Sequence, residues 1–276
     1  MKMFYQFTLT TAIVFALIVS ISHLAFAQKV NIDDGPIPEK DWLANPKVAA
    51  LNEDHSAEKT WISKWYGPDG NYENNGGFAA SAPKDLIDEA TNGKLDQVKL
   101  STAAGLKLTQ TVDINWKKAN GGPREWTVFE LNPADGNHMN RGGPADNIDT
   151  YGIVVVKAPK AMKAVMSPAH DDYAQIWING EKWYNNSAWT GAALQVDYNI
   201  EVQLQKGGNV VLYRCGESGG SAYMNLHFDD ETHKVCDIYP DKSNDQKSFF
   251  SEVSGALSVE PTDKLTTTWA DIKRSN

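Results

Sequence analysis

Apolar residues along this chain fall in short runs, some alternating with polar ones, and Gly, Pro or Asn stops each run. This is the pattern of β-strands joined by turns rather than of long amphipathic helices. Residues 61–66 are aromatic and β-favouring and end at Gly67-Pro68-Asp69-Gly70; residues 107–116 alternate loosely, and 125–131 form a further strand candidate. The run Ile153-Val154-Val155-Val156 predicts a strand covered on both faces, with 161–167 following it. Residues 173–178 lead through Asn179-Gly180 into 181–184, and Asn-Gly between β-favouring runs predicts a type I′ hairpin. A second hairpin is predicted from 200–204 through Lys206-Gly207-Gly208-Asn209 into 210–215. After a Gly-rich loop at 216–220, residues 223–228 alternate, with Met224, Leu226 and Phe228 on one face and Tyr223, Asn225 and His227 on the other.

The expected fold class is therefore all-β, an antiparallel β-sandwich of jelly-roll type. Pro36, Pro38 and Pro46 suit an extended lead-in, and the pattern fades after Asp229-Asp230-Glu231. The expected division is a leader at 1–27, a lead-in at 28–57, the sandwich at 58–232 and a mostly irregular tail at 233–276, in which 264–273 could form a turn or two of amphipathic helix. The leader follows from Lys2, the apolar run 12–19 and Ala25-Phe26-Ala27, which together have the layout of a secretory signal peptide. A secreted or periplasmic location follows, with no membrane attachment once the leader is cleaved.

Composition sharpens this picture. The 276 residues carry a formal charge of -9, and removal of Lys2 with the leader makes the remainder more acidic, so nucleic acid is not an expected partner. Trp and Phe number nine each, but four of the Phe lie in the leader, so Trp predominates after cleavage. Cys215 and Cys236, an even pair in an oxidising compartment, are expected to form a disulfide rather than to ligate metal or act as a nucleophile. Asn185-Asn186-Ser187 is a formal glycosylation sequon.

Residues 160–228 resemble the non-catalytic jelly-roll modules of the PA14 and glycosidase sugar-binding type. The matching elements are Ala164-Val165-Met166-Ser167, the stretch from Asp171-Asp172 through Trp177-Ile178-Asn179-Gly180, the turn Leu204-Gln205-Lys206-Gly207-Gly208-Asn209, and the closing strand up to Phe228. The Gly-Trp-Gly seen near the end of many relatives is replaced here by Gly219-Gly220-Ser221-Ala222-Tyr223. The resemblance implies a sandwich. It also implies carbohydrate binding in several members, in some of them through calcium held by the acidic pair, and simple scaffolding of an enzyme in others.

Two groups of residues carry candidate chemistry. Asp171 and Asp172 offer hard oxygen ligands for Ca²⁺, to be completed by groups such as Asn185, Asn186 or Asp197; equally, the pair could cap a turn through backbone N–H groups. Trp183, Tyr184 and Trp189 offer flat faces for sugar rings beside the amides of Asn185 and Asn186, or else simply cover the end of the sandwich. Enzyme motifs are lacking: there is no HExxH, no dinucleotide fingerprint, and Gly216-Glu217-Ser218-Gly219-Gly220 is out of register for a nucleophile elbow. The leading expectation is a secreted, non-catalytic carbohydrate-binding-like module for extracellular or cell-surface glycan. The alternatives are a structural module that docks to a partner protein and a small glycan-active hydrolase.

Overall fold

A computed structural model describes residues 56, 58–141, 146–187, 189–196, 198–220 and 222–257. The leader, nearly all of the lead-in, Asp197 and residues 264–273 lie outside the described residues.

Two antiparallel sheets form the body. The larger has the strand order β5 (Trp126–Glu130), β1 (Lys64–Pro68), β6 (Ile148–Ala158), β11 (Gly207–Gly216), β8 (Tyr173–Ile178) and β9 (Glu181–Asn186). Two short strands, β2 (Tyr72–Glu73) and β13 (Asp237–Tyr239), also pair with β6. The smaller sheet is β10 (Ile200–Leu204), β7 (Met162–Asp171) and β12 (Tyr223–Phe228), and β3 (Ile114–Asn115) pairs with β4 (Pro123–Arg124) as a separate ribbon.

Strand alternation sorts side chains into two cores. Val154 and Val156 of β6, Ile176 of β8 and Val211 and Tyr213 of β11 face the small sheet, meeting Met166, Val202, Met224 and Leu226. Ile153, Val155, Trp177, Val210 and Leu212 point the other way, into a second core. This explains the unbroken apolar run of β6, which is buried on both sides.

The second core is closed by short helices at positions expected to hold strands and turns. They are α1 (Phe78–Ser81), α2 (Leu86–Thr91), α3 (Gln97–Leu100) and α4 (Ala103–Leu108). Side-chain caps start the last three: Asp85 accepts from the N–H groups of Ile87 and Asp88, Asp96 from Lys99, and Thr102 from Gly105. A Cβ on Gly105 would lie 1.8 Å from the Lys99 carbonyl oxygen, so only glycine lets α4 approach α3 this closely.

The expected irregular tail is corrected over 233–257. After α5 (Asp230–Val235), β13 joins the large sheet, and α6 (Gln246–Val253) begins in a capping box of Asp245 and Ser248. Phe249 of α6 stacks on Tyr66 of β1 with ring centroids 4.3 Å apart, and Val253, Ala256 and Leu257 extend the same core.

The predicted Asn179-Gly180 hairpin is present, with φ of 53° and 91° and Ile178 opposite Glu181. The second predicted hairpin is not. β10 pairs with β7 in the small sheet while β11 pairs with β6 and β8 in the large one, so the Gly207 turn carries the chain between sheets. Residues 217–222 do the same between β11 and β12 rather than forming a hairpin loop.

The expected disulfide is also corrected. Cys215 lies opposite Thr150 near one end of β6, whereas Cys236 precedes Asp237, which pairs with Lys157 near the other end. About seven strand positions separate these points, roughly 20 Å, and a bridge needs Cα atoms within about 7 Å. Both thiols are free: Cys215 Sγ lies 3.4 Å from the Tyr223 carbonyl oxygen and Cys236 Sγ 3.9 Å from the sulfur of Met162.

Candidate functional site

Three connections at one end of the sandwich pass from one sheet to the other. β7 hands over to β8 at Asp171-Asp172, β9 to β10 through 187–199, and β11 to β12 through 217–222. Backbone bonds join the three crossings. Asp172 N–H donates to the Gly216 carbonyl at 3.0 Å and Thr190 N–H to the His170 carbonyl at 3.0 Å, while Glu217 N–H ties its crossing to the start of β6 at the Ile148 carbonyl, 2.9 Å away.

Carboxylates gather here. The peptide between Asp171 and Asp172 is cis. Asp172 accepts from the Ser218 N–H at 2.8 Å, and Asp146 accepts from Gly220 N–H at 3.3 Å. Burial, followed by a hydrogen bond to the Asp172 carboxyl and its charge, pushes the Asp171 carboxyl up to about 7.

Glu217, in the next crossing, is fully buried, and neither carboxylate oxygen meets a donor in hydrogen-bonding geometry. Burial raises it to about 7, the charges of Asp146 and Asp172 adding to the rise and the nearby amides of Gly219 and Ile148 moderating it. A glutamate in a Gly-rich loop reads as a solvent-facing residue, so the sequence offers no signal for this one.

The aromatic residues separate. Trp189 is 55% exposed, and Leu194 of the same crossing is 40% exposed. Trp183 and Tyr184, expected to offer stacking faces, are instead 4% and 0% exposed within the inter-sheet core, which leaves neither ring available to a sugar. The Tyr184 hydroxyl lies 2.7 Å from His170 Nε2 and accepts from the Asn186 amide at 2.9 Å. Burial drives His170 down to about 3 and keeps it neutral. Asn185 and Asn186 are each 3% exposed, with Asn185 Oδ1 accepting from Gln175, so the sequon is shielded by the folded sheet. Phe78, which the sequence did not single out, is half-buried at this end: its ring stacks on Tyr173 at 5.5 Å and its N–H donates to Ser218 Oγ.

A buried ion pair holds the end rigid from behind. Arg214 Nη2 lies 2.6 Å from Asp149 Oδ2, and both side chains are fully buried. Arg214 also donates to the carbonyls of Ser81 and Lys84 and to Gln97 Oε1. The other Asp149 oxygen accepts from Asn74 and Ser81, so every charge is met by a polar partner. The network ties the helical layer to the large sheet beneath the crossings.

No family model and no curated protein matches this chain. Among solved structures, a GH31 alpha-xylosidase from Xanthomonas citri is similar at 13% identity and a TM-score of 0.25, over 30% of this chain and 9% of that one. An anti-sigma factor domain-containing protein from Clostridium clariflavum is similar at 14% identity and a TM-score of 0.27, over 44% of this chain and 42% of that one. The fold and the three crossings define an antiparallel β-sandwich with a loop-built acidic end. Among the described residues no helix is long and apolar enough to cross a membrane.

Proposed function

We propose that this protein is a secreted or periplasmic, non-catalytic carbohydrate-binding module of PA14-like kind, which takes extracellular or cell-surface glycan at the acidic end. The observation that carries this reading is Trp189: a largely exposed indole on a crossing whose next residue is hydrogen-bonded to the residue preceding Asp171-Asp172. An exposed indole on the crossing next to the carboxylates combines a face for a sugar ring with acceptors for its hydroxyls.

Ca²⁺ fits the same pair. Among the described residues no three Asp, Glu, His or Cys side chains converge as a ready metal set. The two adjacent carboxylates nevertheless supply hard oxygens, and carbonyl or water oxygens would complete the six to eight that Ca²⁺ takes. When bound, the ion would neutralise the pair and offer an electrophilic contact to sugar hydroxyls. The test is binding to a glycan array with and without chelator, for the wild type and Trp189→Ala. Binding that both changes abolish supports the reading, and a wild type that binds no glycan defeats it.

A second reading, docking to a protein partner, is favoured by one observation: Trp189 and Leu194 are both exposed on a single crossing. Retention of a partner that survives chelation but not Trp189→Ala would select it.

A further inference from the structure

A groove of about 820 Å³ lies away from the acidic end. Its origin is topological. β1 pairs with β6 at Tyr66 opposite Ile153, and β13 occupies the β6 edge further along, at Val155 to Lys157. Where β1 leaves β6, residues 60–64 and 237–242 form the two walls.

The chemistry of those walls narrows what they can hold. Several of their charged side chains already hold hydrogen bonds within the protein. Lys64 Nζ donates to the Asp241 carbonyl at 2.9 Å, and the Tyr239 hydroxyl donates to Asp237. Glu252 accepts from the Lys242 N–H at 2.7 Å and from the Ser243 hydroxyl at 2.6 Å. A charged ligand would have to compete with these bonds, while a neutral one need not. Trp61 adds an aromatic surface: it is half-buried, held at 84° to the His227 ring with centroids 4.6 Å apart. A groove of this volume with an anchored indole and a polar rim has the make-up of a binding cleft.

We propose that this groove is a second glycan site, which takes a neutral oligosaccharide segment along Trp61. The ligand class rests on the reading of the acidic end, but the site itself is independent of it. About six β6 residues, roughly 20 Å, separate the strand positions beside the groove from those beside the acidic end. One chain would therefore engage glycan at two places and could bridge two polysaccharide strands.

The test is hydrogen exchange on the full chain with saturating cello-, xylo-, manno- and chitohexaose in turn, read beside the affinities of Trp61→Ala, Lys242→Ala and Trp189→Ala. The expected result is slowed exchange at 60–64 and 237–242 with at least one sugar. Trp61→Ala should remove that protection and weaken groove binding about tenfold or more, and Trp189→Ala should leave it intact. Should Trp61→Ala fail to fold, the wild-type exchange map and Lys242→Ala decide. Protection confined to 187–196 overturns the second site and leaves the acidic end standing. Protection confined to the groove does the reverse, and protection nowhere with any of the four sugars overturns both.

Discussion

The N–H of Thr190 donates to the carbonyl of His170 at 3.0 Å, and this bond sets the Trp189 crossing against the acidic crossing. Trp189 is largely exposed and so adds little to the core, whatever it contributes to a ligand. Trp189→Ala should leave unfolding in urea within about 0.5 kcal/mol of wild type while glycan affinity falls at least tenfold. Equal losses in stability and affinity would mean that the indole is structural.

Calcium should act through the acidic pair. Millimolar Ca²⁺ is expected to raise the melting temperature of the wild type by a few degrees, since a ligand bound only by the native state stabilises it. Asp171→Asn with Asp172→Asn should abolish the rise. An identical melt in calcium and in chelator for the wild type removes the ion from the mechanism.

Glu217 predicts an inverted pH dependence. A carboxyl whose folded value stands near 7, above its unfolded value, favours the folded state while protonated; that stability is present at low pH and is lost as pH rises from about 5 to 8. His170, lowered to about 3, works the other way, costing stability as pH falls below about 6.5. Glu217→Gln isolates the first effect. It should stabilise the protein by about 1–3 kcal/mol at pH 8 and change little at pH 5. Urea titrations at the two pH values check this, and a variant destabilised at both would show that the carboxylate makes bonds worth keeping.

The Arg214–Asp149 pair should be costly to break and cheaper to replace. Arg214→Met alone leaves a buried carboxylate uncompensated and should cost about 3–5 kcal/mol. Adding Asp149→Leu to it should recover part of that loss, read as the coupling in a double-mutant cycle. Strict additivity would mean that the two charges act independently.

The free thiols make a simpler prediction. Because Cys215 and Cys236 are not bridged, a reductant should leave the melting temperature unchanged, and a free-thiol titration of the denatured chain should count two. A melt lowered by several degrees in reductant would overturn the arrangement of strands that separates them.

Much of the sheet was legible because its strands carry their own signals. The apolar run in β6 and the Asn179-Gly180 turn marked elements that the structure keeps. Sheet membership was not legible. Strand alternation looks the same whether a Gly-rich turn joins neighbours or throws the chain across the core, which is why 205–209 reads as a hairpin turn. α1 to α4 are four to six residues long, too short for a periodic stripe, and only caps such as Asp85 and Asp96 mark them. At the acidic end, Asp171, Asp172 and Trp189 could be named from sequence. Trp183 and Tyr184 stand between polar neighbours in a strand whose residues 182–186 are all buried, and Trp and Tyr side chains alone do not tell a core position from a stacking face.

The three crossings at the acidic end have a consequence for how such a protein can change. None of them sets the register of a strand pair, since the strands each one joins are partnered by other strands in separate sheets. Insertions or exchanges within 187–199 and 217–222 therefore need not propagate into the ladders. The scaffold can keep one architecture while the surface of this end is rewritten, which makes these two segments the natural positions for a selection library.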